Sequence, residues 1–209
     1  EELEAIKEAY NTGETIVQVG FNRRFSPMVE KMKKSVSGQI SVNYRVNAGI
    51  IPKDVWIQDR TIGGGRIIGE VCHFIDTCSY LIGSVVSSVF ATTIQKNDQS
   101  IPDEDNVNIV LNYANGSTAT ISYYAYGDTT MPKEYIEVFG NGISMQMNDF
   151  RELTIFKGGK ATKEKSANQD KGFVNEFNLN INFSIIKFQN GNILGFIRLF
   201  FFRHKQISK

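Results

Sequence analysis

The chain is short of the residues that mark several large protein classes. In 209 residues it has two cysteines, one tryptophan, four prolines and two histidines. Cys72 and Cys78 fall six apart on one predicted helix and point in different directions, so they do not bridge readily. That argues against a disulfide framework and for a reducing, cytoplasmic setting. No apolar run reaches the roughly 18–20 residues needed to cross a bilayer. The opening Glu1-Glu2-Leu3-Glu4 is not a secretion signal. An excess of charge of one sign is also missing: 23 Lys and Arg against 22 Asp and Glu leave a net charge of +1. With no basic run longer than Lys33-Lys34, neither nucleic acid nor a membrane surface is an expected partner, and no metal site is assigned. What remains is an ordinary globular composition, 41% hydrophobic and 22% charged. The length suffices for one good-sized core, or one domain plus a fragment.

The hydrophobic period changes along the chain. Residues 1–10 have helical spacing, closed by Asn11-Thr12-Gly13. Residues 15–20 form a continuous apolar run, read as a strand buried on both faces. Helix then buried strand is half of a βαβ unit, so the chain is expected to open inside a larger parallel sheet. Pro27 starts an amphipathic helix over Met28–Val36. Gln39–Asn47 alternates, with Ile40, Val42, Tyr44 and Val46 on one face. Residues 48–62 read as a loop around Pro52 and Trp56.

After Gly83 the period is two. Strands are predicted over Val85–Gln95, Asn106–Tyr113, Ser117–Tyr126, Glu134–Phe139, Ile143–Met147 and Leu153–Phe156. Asn115-Gly116 and Gly140-Asn141-Gly142 supply turns. Lys160–Lys171 is charged and expected to be mobile, and Phe173–Asn190 is predicted helical. The tail over Asn182–Lys209 carries four apolar residues in a row, Leu199–Phe202, and a second histidine, His204, read as solvated. The expected fold class is α+β: an open, mostly antiparallel sheet with helices on one face. The other face, expected to be rich in Tyr, Val and Ile, should pair with a second copy, making a homodimer or higher oligomer.

The most informative stretch is 63–83, which runs from Gly63-Gly64-Gly65 to Gly83. At 100° per residue, Ile67, Val71, Phe74, Ile75, Cys78, Leu81 and Ile82 share one arc, whereas Arg66, Glu70, His73, Asp76, Thr77 and Tyr80 share the other. One arc suits a core. The other carries two acids and a histidine where a merely wet face would favour Lys and Glu. Glycines ahead of a helix let a ligand or another backbone come close, and a helix N-terminus favours negative charge. The plain alternative is a surface helix with a chance histidine.

Gly-Gly-Gly, a helix, His73 eight residues on, Asp76 three later and Leu81-Ile82-Gly83 resemble the signature helix of the Gfo/Idh/MocA oxidoreductases. Two further stretches agree in order and spacing. Ile16–Pro27, with Asn22-Arg23-Arg24-Phe25, is similar to the family's last Rossmann strand and the segment after it, and Trp56-x-x-Asp59 precedes the glycines. The resemblance implies a Rossmann remnant over residues 1–25, its last helix and strand, followed by the family's C-terminal α+β domain over 26–209. It also implies an NAD(P)-dependent dehydrogenase acting on a sugar, sugar nucleotide or cyclitol. No Gly-x-Gly-x-x-Gly occurs in the chain, so these residues alone are expected neither to bind NAD or NADP nor to be active.

Carried over by position, the resemblance makes His73 the residue at the reacting hydroxyl. The family's aspartate four residues earlier is replaced by Gly69, and its neighbour Glu70 is assigned that carboxylate's role. The Gly-Glu pair resembles a subgroup fused to a zinc alcohol-dehydrogenase-like half. Histidine suits proton abstraction near neutral pH. Asn22, after the buried strand, is assigned to the cofactor, and Arg23, Trp56, Asp59, Arg60 and Asp76 to the substrate. For the arginines a structural salt bridge is the competing reading, and for Trp56 plain core filling. A non-catalytic dimerisation or carbohydrate-binding module of the same fold is the alternative function, which the loss of an aspartate at Gly69 would suit.

Overall fold

Alternation along the strands builds one eight-stranded sheet. Its strands are β1 (Ser41–Asn47), β2 (Val86–Thr93), β3 (Asn106–Tyr113), β4 (Thr118–Tyr124), β5 (Glu134–Gly140), β6 (Ile143–Asn148), β7 (Glu152–Lys157) and β8 (Lys160–Lys165), in the spatial order β2-β3-β4-β1-β5-β6-β7-β8. Every neighbouring pair is antiparallel except β1 with β4, because the early strand β1 inserts between β4 and β5. Register places Val42 opposite Ala119 and Val138, and Tyr44 opposite Ile121 and Ile136. All six are buried. Burying each of the larger apolar side chains contributes about 1.5–3 kcal/mol. The structure, a computed structural model, describes residues 2–13, 19–94 and 105–178. Among them no helix is long and apolar enough to cross a membrane.

The sheet belongs to a unit spanning Val19–Glu176. In it α2 (Pro27–Ser35) starts with proline at its first turn, where the missing N–H costs nothing. It buries Met28, Val29 and Met32. Helix α3 (Cys72–Ile82) packs Phe74, Cys78, Leu81 and Ile82 into the same core as these residues and the inward side chains of the strands. It ends at Gly83, whose φ of 72° suits glycine and whose N–H donates to the Ser79 carbonyl. The Lys33 ammonium caps the Leu81 carbonyl at 2.9 Å. Cys72 and Cys78 are both free thiols. A second unit takes Glu1–Gln18 with Phe177–Lys209; its described helix is α1 (Glu2–Thr12). The strand expected over 15–20 lies outside the described residues except Val19 and Gly20, which are not in a strand. Of the helix expected over 173–190, residues 173–178 are helical. The rest of it, and the tail over 182–209, lie outside the described residues.

Three expectations are corrected. The charged segment 160–171 is ordered: β8 pairs with β7 along its whole length, and Ser166 N–H donates to Arg151 O. Every residue of β8 is exposed, so it carries no apolar alternation to reveal it, and its lysines blunt an edge that would otherwise template pairing. The free sheet face is mixed and carries no isoleucine in its strands: Thr120, Asn43, Glu137, Gln146 and Thr154 run across β4, β1, β5, β6 and β7, and Val110, Tyr124, Tyr135, Phe139 and Phe156 share that face. Finally, the run after Gly65 is not a regular α-helix from its start. Ile67–Val71 is a π-helical turn, which breaks the 100° phase on which the polar arc was drawn. Arg66, Asp76 and Thr77 of that arc are buried.

Phe74 has no exposed surface and meets Tyr44 edge-on at 5.0 Å. Its replacement by alanine should lower unfolding free energy by about 3–5 kcal/mol. The exposed Ser41→Ala should change it by less than about 0.5 kcal/mol. Urea titration of both variants checks this, and equal midpoints would contradict it.

Candidate functional site

Two carboxylates, each held by three residues, carry charges that act on His73 at the start of α3. The first is Glu134, the opening residue of β5, whose side chain has no exposed surface. Arg23 grips it with Nε at 2.7 Å from Oε2 and Nη2 at 3.0 Å from Oε1. Lys171 Nζ donates to Oε1 at 2.7 Å and the Tyr44 hydroxyl to Oε2 at 2.5 Å. Burial pushes this carboxyl up, but the hydrogen bonds and charges of Arg23 and Lys171 outweigh it and bring the pKa down to about 2. Burial and the Glu134 charge push the Tyr44 phenol well up, so it stays a neutral donor.

The second is Glu70, in the π-helical turn. The Tyr123 hydroxyl donates to its Oε2 at 2.5 Å, Arg66 Nη2 to the same oxygen at 3.2 Å, and Lys133 Nζ to Oε1 at 2.5 Å. Burial raises this pKa too, but Lys133 and Tyr123 reverse the shift and hold Glu70 below the usual carboxylate range.

His73 stands between them in charge. Its half-buried ring meets Phe21 edge-on at 5.6 Å. Nδ1 is buried with no hydrogen-bond partner among the described residues. Burial lowers the imidazole pKa first and the Arg23 guanidinium second, with Lys133 adding to the fall and Glu70 and Glu134 opposing it. The imidazole is therefore neutral at neutral pH and able to accept a proton. Glu70 makes no hydrogen bond to His73; both of its oxygens are taken by other partners.

The other predicted residues are placed as follows. Arg23 is buried on Glu134, with Phe74 beneath its guanidinium at 4.9 Å. Asp76 is buried and bidentate with Arg24; burial raises its pKa and Arg24 offsets part of the rise. Asn22 is buried, with Nδ2 on the Lys171 carbonyl at 2.9 Å. Trp56 and Arg60 are exposed. The Asp59 carboxylate closes its own turn, accepting from Thr61 N–H at 2.7 Å and the Thr61 hydroxyl at 2.6 Å. Thus the geometry gathers His73, Glu70 and Arg23 around two ion centres, while Trp56, Asp59 and Arg60 form a surface turn.

The three glycines have a use other than phosphate binding. Gly63 and Gly64 N–H donate to the Asp59 carbonyl, and Gly65 N–H to the Ile57 carbonyl. All three donors are thereby spent. A Cβ on Gly63 would strike the backbone of Trp56 and Ile57, so what comes close is the chain's own turn. At Gly69, where the resembled family carries aspartate, a Cβ would lie 3.0 Å from Ile57 Cδ1. These residues form no cradle for a dinucleotide, and among the described residues no cluster of His, Cys, Asp and Glu could hold a metal ion.

Sequence reasoning missed Glu134, Lys171, Lys133 and the role of Tyr123. One signal was available: Glu134 has the same strand parity as the buried Ile136 and Val138. A charge on the apolar phase of a strand requires buried partners.

Comparison with known proteins was made on sequence and on structure. Residues 34–145, just over half of the chain, match the model of the GFO/IDH/MocA C-terminal domain. The uncharacterized oxidoreductase YrbE of Bacillus subtilis is 29% identical over 165 residues, covering 74% of this chain and 46% of its own. Myo-inositol 2-dehydrogenase of Thermotoga maritima is 26% identical over 164 residues, covering 74% and 47%. The chain thus spans about half the length of the curated relatives it matches. In fold, aldose-aldose oxidoreductase of Caulobacter crescentus superposes with a TM-score of 0.71 at 19% identity, over 87% of this chain and 58% of that one.

Glu134 links stability to pH. Its folded pKa, about 2, lies below the roughly 4.3 of an unfolded glutamate. Its contribution is therefore present above pH ~4.3 and is lost as pH falls toward about 2. A shift of this size is worth on the order of 3 kcal/mol. Glu134→Gln should cost about 3–5 kcal/mol near neutral pH, because it leaves the buried Arg23 and the half-buried Lys171 without their counter-charge. It should also flatten this part of the pH profile. Denaturant titrations across that acid range check it, and an unchanged slope in the variant would count against it.

Proposed function

Since the chain belongs to the GFO/IDH/MocA C-terminal domain family, we propose that it is the substrate-binding half of an oxidoreductase that oxidises a hydroxyl of a sugar, sugar nucleotide or cyclitol, or reduces the corresponding ketone. The observation that carries this reading is His73: a half-buried, neutral imidazole whose Nδ1 has no partner among the described residues, on which the charges of two fixed carboxylates act. A substrate hydroxyl placed at Nε2 would give up its proton there. NAD or NADP in the whole protein would accept the hydride. The Bacillus relative is named an oxidoreductase and the Thermotoga relative acts on myo-inositol, which supports a polyol-like substrate for this chain.

Within this reading Arg23 is a positioning residue rather than a direct substrate contact. Its Nε and Nη2 are spent on Glu134, and its charge depresses the His73 pKa. Asp76 does the same for α3, tying the helix to Arg24 of the short 3₁₀ turn Asn22–Phe25. The free sheet face, where polar side chains alternate with Val110, Tyr124, Tyr135, Phe139 and Phe156, pairs with a second copy in a closed two-fold arrangement.

In the complete protein His73→Ala should lower kcat by about 10²–10⁴-fold, with the melting temperature little changed, since the imidazole fills no core position. Steady-state kinetics with myo-inositol and a set of aldoses, each with NAD+ and NADP+, test this. An unchanged rate would leave the non-catalytic module as the better account. Sedimentation at tens of micromolar should show a dimer or larger species, and a monomer alone would refute the pairing.

A further inference from the structure

Building on the reading of His73 as proton acceptor, we propose that Lys133 is a substrate-contacting residue of the same site and that Glu70 is the residue that positions it. Glu70 has three partners, and they differ in access. The side chains of Arg66 and Tyr123 are buried, whereas that of Lys133 is 37% exposed. Only Lys133 can therefore bring this charge network to a ligand. Its ammonium has three N–H donors, and one of them is used among the described residues, on Glu70 Oε1 at 2.5 Å. Two remain for a substrate oxygen.

The lysine is fixed at both ends. Its carbonyl accepts from Asn47 N–H at 2.7 Å. Asn47 is itself buried, and its Nδ2 holds the preceding loop through the carbonyls of Asp128 at 2.7 Å and Met131 at 3.2 Å. The side chain cannot swing away without breaking its bond to Glu70. This geometry also removes Glu70 from proton transfer. With Lys133 on one oxygen and Tyr123 and Arg66 on the other, it is a fixed anion, and its depressed pKa makes it a weak base near neutral pH. When a substrate hydroxyl loses its proton to His73, negative charge grows on that oxygen. A donor cation already in place stabilises this charge more than it stabilises the neutral hydroxyl. No bond to Lys133 forms or breaks: the proton goes to His73 and the hydride to the nicotinamide.

The groups whose charges act on His73 are Arg23 and Lys133, which lower its pKa, and Glu70 and Glu134, which raise it. Removing Lys133 should therefore move the acid limb of the rate profile to higher pH, and neutralising Glu70 should move it to lower pH. The test uses the full-length enzyme, with myo-inositol and aldoses as substrates and NAD+ or NADP+ as acceptor, and measures kcat/KM against pH. Lys133→Met should lower kcat/KM by about 10²-fold, with Lys133→Arg restoring most of it. Glu70→Gln should lower it less, and should add no further loss in the Lys133→Met background. Melting curves identify any variant that fails to fold.

A Lys133→Met enzyme within twofold of the unaltered one, alongside a crippled His73→Ala, would overturn the role of Lys133 alone. A further loss from Glu70→Gln in the Lys133→Met background would overturn the positioning role of Glu70. A silent His73→Ala, or no turnover of any substrate by the unaltered protein, would overturn the oxidoreductase reading on which the proposal rests.

Discussion

A carboxylate with no exposed surface has to be neutralised where it sits, and Glu134 imposes that requirement on the unit built around the sheet. Removing an ionised group from water costs several kcal/mol even after relaxation. Glu134 stays charged because Arg23, Lys171 and Tyr44 converge on it from three separate parts of the chain. Meeting that need ties the 3₁₀ turn before α2, strand β1 and the segment after β8 to the first residue of β5. The segment at 170–172 is held in place by Asn22 and Ser26, which donate to the carbonyls of Lys171 and Asp170. Glycine is required at 172, since a side chain there would collide with the backbone of Asn22, Phe25 and Ser26.

The same electrostatics reach the imidazole. Arg23 neutralises Glu134 and at the same time lowers the His73 pKa. Burial first, and the Arg23 charge second, keep the histidine in its proton-accepting form against the opposing charges of Glu70 and Glu134, with no carboxylate hydrogen-bonded to the ring. Glu70 repeats the arrangement with Lys133, Arg66 and Tyr123. Each centre sets one carboxylate against two cations, and charges of both act on the His73 ring. The π-helical turn over Ile67–Val71 makes room for the second: it releases Glu70 from the regular helical phase and lets it reach β4 and the residue before β5.

The turn at 56–65 accounts for the three glycines. Gly63, Gly64 and Gly65 let the chain fold back on Ile57 and Asp59, spending their N–H groups internally. Ile57 then covers Gly69, and a side chain at that position would press on it.

The sequence by itself determined the class of fold, because strand and helix periods are local. The α+β class, the strand positions, the turn at Asn115-Gly116 and the helix stop at Gly83 all follow from alternation and backbone preference within a few residues. It also proposed His73 from a motif with fixed spacing, and Glu70 as the neighbour of Gly69, where that motif departs. Tertiary structure alone decided which charges meet. Arg23 and Glu134 lie 111 residues apart, and Arg24 and Asp76 lie 52 apart; no local rule pairs them, because pairing depends on desolvation in a shared core. The β8 edge was illegible for the opposite reason: a fully exposed lysine-rich strand buries nothing and leaves no hydrophobic period to read. The partners of Glu70 were hidden too, because the helical wheel assumes 3.6 residues per turn, and the π-helical turn at that residue breaks the assumption.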